Sequence, residues 1–298
     1  MAEHEKTRVT LATATPGGGF PLYGGVVAET IHGVEPTLLI EPRNTKGSTE
    51  NVPLLEAGAV DIGLVQGEIA YEAFNGIGRP KTNLTIIAAM YSTAGMFVVR
   101  ADSRCHSIVD LVGRPVAFGA RGSGLVTLAR YVLDGLNLDF DRHFKPIYLD
   151  RAGDGPAMVL DGTAAALWGG GTGWPGFVAV ADSDAGARFI VPDTGEIERI
   201  REKHAFLKPL TVQAFSYRDQ TDEIESVGSW SFIMARADLP EDIGYRLARA
   251  LHKGEPTLAA RLPQARETMA ANTPRAVPDR SLIHPGVIKY LEEIGELA

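Results

Sequence analysis

The chain has 298 residues, 45% hydrophobic and 22% charged, enough for two cores of about 150 residues each. Its formal charge of −8 excludes a general affinity for nucleic acid or anionic membrane, since either needs a basic face that releases counterions. Cys105 is the only cysteine, which rules out an intramolecular disulfide and a cysteine-based metal cluster.

No apolar run reaches the roughly 18 residues of a membrane span, and the segment 1–8 (MAEHEKTR) is too polar for the core of a signal peptide. Either the protein is cytoplasmic or its export signal is absent from this chain. Apolar β-rich runs then alternate with helical patterns: strands are expected over 9–14, 37–41, 61–65, 85–91 and 95–101. Strand and helix at this spacing make parallel βαβ units. A second series follows, with strands near 115–120, 144–149, 164–168 and 188–191. Further strands are expected at 210–217 and 229–235, and helices over 241–252 and 285–296 close the chain.

One unit recurs in both halves. The first strand runs into Thr15-Pro16-Gly17-Gly18-Gly19-Phe20 and a helix with Leu22, Val26, Val27 and Ile31 on one face. The strand at 115–120 runs into Arg121-Gly122-Ser123-Gly124 and a helix carrying Leu125, Leu128, Ala129, Val132 and Leu133. Each glycine-rich turn leaves backbone N–H groups and the positive end of a helix dipole at the carboxyl edge of a sheet, where open α/β folds bind ligands. Ser123 stands at an N-cap position, its hydroxyl expected to accept from the N–H of Val126 or Thr127. It is not a nucleophile elbow, because Arg121 sits where that motif needs glycine. Ser48 is expected to cap the helix that carries Val52 and Leu55, close to Asn51. Gln66 ends the strand at 61–65 with a side-chain amide that needs a partner, and a ligand is a reasonable one.

Gly171-Thr172-Gly173-Trp174-Pro175-Gly176 matches G-x-G-x-x-G, but Trp174 and Pro175 crowd a turn that pyrophosphate must approach closely. Trp168 and Trp174 read as core or wall aromatics. The seven histidines have no metal-ligand spacing, and no Ser/His/Asp set can be assigned.

Ordered segments across nearly the whole chain resemble the TAXI group of binding proteins for tripartite ATP-independent periplasmic (TRAP) transporters. They are Ala12-Thr13-Ala14-Thr15-Pro16-Gly17-Gly18, the run 47–55 (GSTENVPLL), the run 59–66 (AVDIGLVQ) and the run 70–76 (AYEAFNG), followed by the runs 98–103, 122–124, 237–242 and His284-Pro285-Gly286. The resemblance implies a type II periplasmic-binding-protein fold: two α/β lobes joined by two crossing strands, with a ligand between them. It also implies docking onto membrane subunits driven by an ion gradient, a periplasmic location, and ligands such as glutamate or 2-oxoglutarate.

The family's loops map to Thr15, Gly17, Gly18, Gly19 and Phe20, to Ser48 and Asn51, to Gln66 and Tyr91, and to Gly122, Ser123, Gly124 and Leu125, with Arg121 and Trp174 as neighbouring contacts. Phe20-Pro21 stands where relatives carry Thr-Tyr, and Leu125 where they carry Thr. Two apolar side chains in place of hydroxyls predict a carboxylate more apolar than glutamate. Lobe one is expected over 1–97 and 212–298 and lobe two over 98–211, in a monomer without cofactor, metal, nucleic-acid partner or membrane insertion. The alternatives from other classes are an enzyme on a similar fold with a nucleotide at the Gly171 motif, and a ligand-sensing domain, for which no DNA-binding helix is present.

Overall fold

The computed structural model describes residues 6–297. In chain order the strands are β1 (Thr7–Ala12), β2 (Leu38–Arg43), β3 (Ile62–Val65), β4 (Thr85–Arg100), β5 (Pro115–Gly119), β6 (Lys145–Tyr148), β7 (Ala166–Gly170), β8 (Ala187–Ile190), β9 (Lys208–Val212) and β10 (Ile224–Ala235). The helices are α1 (Gly19–Val34), α2 (Ser48–Glu56), α3 (Gly67–Asn75), α4 (Gly124–Gly135), α5 (Phe140–His143), α6 (Gly155–Leu160), α7 (Pro175–Ala181), α8 (Thr194–Lys203), α9 (Glu241–Arg261), α10 (Thr273–Ala276) and α11 (Pro285–Glu293). None of them is long and apolar enough to cross a membrane.

The chain forms two compact units. The first holds the segment ending at Ala14, Phe20–Tyr91 and everything from Trp230; the second holds Thr15–Gly19 and Ser92–Ser229. The chain therefore changes unit inside β4 and again inside β10, rather than at the sequence positions 97/98 and 211/212. In the first unit β2, β1 and β3 are parallel, and Phe232–Ala235 of β10 runs antiparallel to β3. Its core combines strand residues such as Leu11, Leu38 and Leu64 with Tyr23 and Ile31 of α1 and Leu247 and Leu251 of α9. In the second unit β5 lies between β6 and β7, parallel to both, while β4 is antiparallel to β7 and β8. Trp168 and Phe97 anchor one of its cores, and Trp174 with Phe177 the other.

Three expectations are corrected. β4 is one uninterrupted strand, not two: Thr93 and Ala94, which resemble a break, are 4% and 3% exposed, so packing keeps them extended. The segment 210–217 stops being a strand at Val212, because the backbone turns through Phe215 at φ 63°. Helix α9 runs past His252 to Arg261, since Leu258 continues the buried stripe.

His284 explains why the His-Pro-Gly motif opens α11. The Gly286 N–H donates to its Nδ1, and its Nε2 reaches the Leu239 carbonyl at 2.9 Å, which requires the neutral ring with the proton on Nε2. Burial holds the imidazole below its ordinary value, against the opposing pull of the Leu239 carbonyl and Glu241. A base with a depressed folded pKa stabilises fully above its unfolded value, about 6.5, and that stability drains away as pH falls toward the folded value. Urea unfolding of wild type and His284→Gln between pH 7.5 and pH 5 is expected to show a steeper acid loss for wild type. Equal slopes would show that this ring is not titrating in the fold.

Candidate functional site

In the first unit the polar residues predicted from sequence gather at the carboxyl ends of β1 and β3. Gly47 takes φ 114° and is the N-cap of α2, so Ser48 is not the cap that the sequence suggested. Its hydroxyl instead accepts the Gln66 N–H at 3.0 Å, a bond between residues 18 apart that ties the start of α2 to the end of β3. Asn51, fully enclosed, donates from Nδ2 to the Thr13 and Leu64 carbonyls at 2.8 and 2.7 Å. Its Oδ1 accepts from the Thr45 hydroxyl at 2.7 Å, and Thr45 also donates to the Thr13 carbonyl. Thr13 and Thr45 were not singled out from sequence. The signal for Thr13 was a polar residue ending an apolar strand, as for Gln66.

Gln66 is the N-cap of α3, yet its side chain makes no capping bond. It is 4% exposed, and its Nε2 has no hydrogen-bond partner among the described residues. A buried amide in that state loses its hydration without compensation, a cost of about 1–3 kcal/mol that a ligand acceptor would remove. Tyr91 is buried edge-on against Tyr23, ring centroids 5.2 Å apart. Burial pushes its phenol above the ordinary value, with Tyr23 and Glu267 adding to the effect. Phe20, at the start of α1, is half-buried against the first core.

The glycine turn Thr15–Gly19 groups with the second unit. Gly17 takes φ 82°, and a Cβ there would stand 2.7 Å from the Gly153 nitrogen, so only glycine fits. The second turn behaves as a capped helix start: Ser123 Oγ accepts the Leu125 N–H at 3.2 Å, one residue earlier than expected. Leu125 is half-buried against both cores of this unit, and its carbonyl accepts from Trp168 Nε1 at 2.7 Å. Helices α1 and α4, which follow the two turns, carry no acid in their first turns, whereas α2 and α3 begin with Glu50 and Glu68. The positive ends of α1 and α4 are thus left uncompensated by their own side chains. Arg121 is exposed with its guanidinium carbon 3.8 Å from the Tyr148 ring centroid and has no ion pair among the described residues. Stacking fixes the plane of the group and leaves its N–H edge available.

Gly169, Gly170 and Gly176 serve packing. A Cβ on Gly169 or Gly176 would lie 2.5 or 2.2 Å from the Trp174 ring, and Trp174, 8% exposed, also packs edge-on against Phe177. The third glycine of the G-x-G-x-x-G match is therefore spent on an indole.

Two solved structures illustrate the fold. MatC from Rhodopseudomonas palustris with bound malate is similar at 12% identity over 97% of each chain, with a TM-score of 0.61. The alkanesulfonate-binding protein SsuA from Xanthomonas axonopodis pv. citri bound to MOPS is similar at 16% identity, over 98% of this chain and 92% of that one, with a TM-score of 0.52. The architecture is the α/β fold of type II periplasmic binding proteins. The model of the NMT1-like family matches residues 11–295, from the end of β1 to the residues after α11, and the chain belongs to that family.

Proposed function

We propose that this protein is the extracytoplasmic solute-binding component of a transporter, holding a small carboxylate without chemical change and delivering it to membrane subunits. The observation that carries this is the buried, unpartnered Gln66 amide among polar residues at the carboxyl edge of the first unit's sheet. Its donor suits a ligand oxygen and the acid-free start of α1 suits negative charge; within the second unit, the acid-free start of α4 and the stacked Arg121 also suit negative charge. The malate and the sulfonate buffer held by the two fold relatives are both oxyanions. The narrower assignment, a TAXI-type component of a TRAP transporter in the periplasm, rests on the ordered sequence segments.

Helix ends supply about 0.3–1 kcal/mol each when exposed, and up to roughly 2 when partly buried. A micromolar complex needs about 8.2 kcal/mol. Charge-assisted hydrogen bonds and apolar contact must provide the rest, and in the first unit Phe20 offers apolar surface. This is why the ligand's body is assigned as more apolar than glutamate.

Titration calorimetry with malate, glutamate, 2-oxoglutarate and phenylacetate tests the assignment. Wild type is expected to bind phenylacetate or another acid of the set one-to-one with no turnover, and Gln66→Ala to lose about tenfold to a hundredfold in affinity, as for a hydrogen bond to a charged group. Gln66→Glu, which turns a donor into a like charge, is expected to abolish binding. Wild-type failure with all four acids would overturn the carboxylate assignment.

A further inference from the structure

Gln66 is not alone in lacking a partner. Strands β3 and β10 pair antiparallel, with Ile62 opposite Ala235, Gly63 opposite Met234, Leu64 opposite Ile233 and Val65 opposite Phe232. The ladder ends at Val65 and Phe232; Gln66, the next residue, keeps extended backbone, φ −73° and ψ 148°, and the same register carried one residue further would set it opposite Ser231. Directly opposed residues of an antiparallel pair project from the same face, their Cβ atoms about 5 Å apart. Ser231 has no exposed surface, and its Oγ, like Gln66 Nε2, meets no hydrogen-bond partner among the described residues. Nearby hydroxyls differ: Ser226 Oγ donates to the Gly95 carbonyl at 2.6 Å, and Ser48 Oγ accepts from Gln66 N.

A buried serine ordinarily satisfies itself on the backbone of its own strand or turn. Two unsatisfied groups at one register position, from strands that meet only in the folded sheet, mark a place built for a third party with oxygen atoms. Both can donate, and a carboxylate has two oxygens with several lone pairs.

We infer that the Ser231 hydroxyl is a second ligand-binding group that donates to the same carboxylate as the Gln66 amide. The inference rests on the solute-binding assignment above and deepens it by naming the strand that completes the grip. Ser231 is then a specificity determinant. With both donors buried, an analogue carrying an amine or a methyl in place of the carboxylate leaves them unpaired.

The test compares wild type, Ser231→Ala and the double variant Gln66→Ala/Ser231→Ala in calorimetry with the four acids above, and in thermal melts without ligand. Ser231→Ala is expected to weaken binding about tenfold or more. Two groups sharing one carboxylate are coupled, so the double variant should lose less than the product of the two single losses. Without ligand, Ser231→Ala should melt at or above the wild-type temperature, because the hydroxyl it removes has no partner among the described residues. A crystal structure of wild type soaked in the bound acid should place Ser231 Oγ within hydrogen-bond distance of a ligand oxygen.

Wild-type binding with an unchanged constant in Ser231→Ala overturns this inference and leaves the carboxylate assignment standing. A markedly lower melting temperature, or Ser231 Oγ bonded only to a water or a protein atom, overturns it as well. Wild type binding none of the acids overturns the assignment and this inference together.

Discussion

Asn51→Ala is expected to destabilise the protein by about 3 kcal/mol or more, because it removes three hydrogen bonds made by one fully buried amide. The carbonyls of Thr13 and Leu64 lose the amide that bridges them, and the Thr45 hydroxyl keeps only the Thr13 carbonyl as acceptor. These groups join the end of β1 to the end of β3, with α2 as the carrier of the amide. The melting temperature is expected to fall by about 10 °C. Asn51→Asp sharpens the test, since it keeps the volume and the acceptor but points a carboxylate at two carbonyls. That carboxyl would have a raised folded pKa, so the defect should be smallest below about pH 4, where the group is protonated in both states, and largest at neutral pH. Melts of both variants from pH 4 to pH 7.5 check this. A defect in Asn51→Asp that does not grow with pH would mean that the amide is not the donor to both carbonyls.

Much of this arrangement was legible in the sequence, and what was not shares one physical cause. The βαβ alternation, the glycine turns ahead of α1 and α4 and the polar end of β3 are local patterns, and each appears at or near its expected place. Ser48 misled because a hydroxyl before an apolar helical stripe has the local form of a cap. Its actual partner, the Gln66 N–H, is set by the packing of α2 on β3. Ser231 lies in the run 229–235 (SWSFIMA), where alternation of polar and apolar side chains suggests one solvated face. Both faces are covered, and only the tertiary packing shows that its hydroxyl meets no partner among the described residues. The break expected inside β4 failed for the same reason: Ser92, Thr93 and Ala94 look like turn residues until their tertiary neighbours bury Thr93 and Ala94. Gln66 was legible because its polarity conflicted with a local apolar pattern, whereas Ser231 was not, because its conflict exists only across strands.

The same glycine-to-alanine change is expected to act with opposite signs at two positions. At Gly228, in β10, a Cβ would stand 1.8 Å from the Thr93 carbonyl oxygen and 2.7 Å from its carbon. Flexible side chains can yield at about 1–3 kcal/mol, but a carbonyl in a strand can do so only if the backbone moves. Gly228→Ala is therefore expected to cost about 3 kcal/mol or more, lowering the melting temperature by roughly 10 °C or preventing recovery of folded protein. At Gly25, inside α1, the added methyl meets nothing within 4 Å, and alanine is the better helix former by about 0.5–1 kcal/mol. Gly25→Ala should melt a few degrees above wild type. The contrast bears on function because Gly228 precedes Ser231 by three residues on one strand, so any backbone shift that accommodates the methyl also displaces the hydroxyl from its place opposite Gln66. Where Gly228→Ala can be recovered folded, its affinity for the bound acid should fall at least as far as that of Ser231→Ala, whereas Gly25→Ala should bind like wild type. A Gly228→Ala protein with wild-type stability and affinity would show that β10 and β4 are not in close backbone contact at that point.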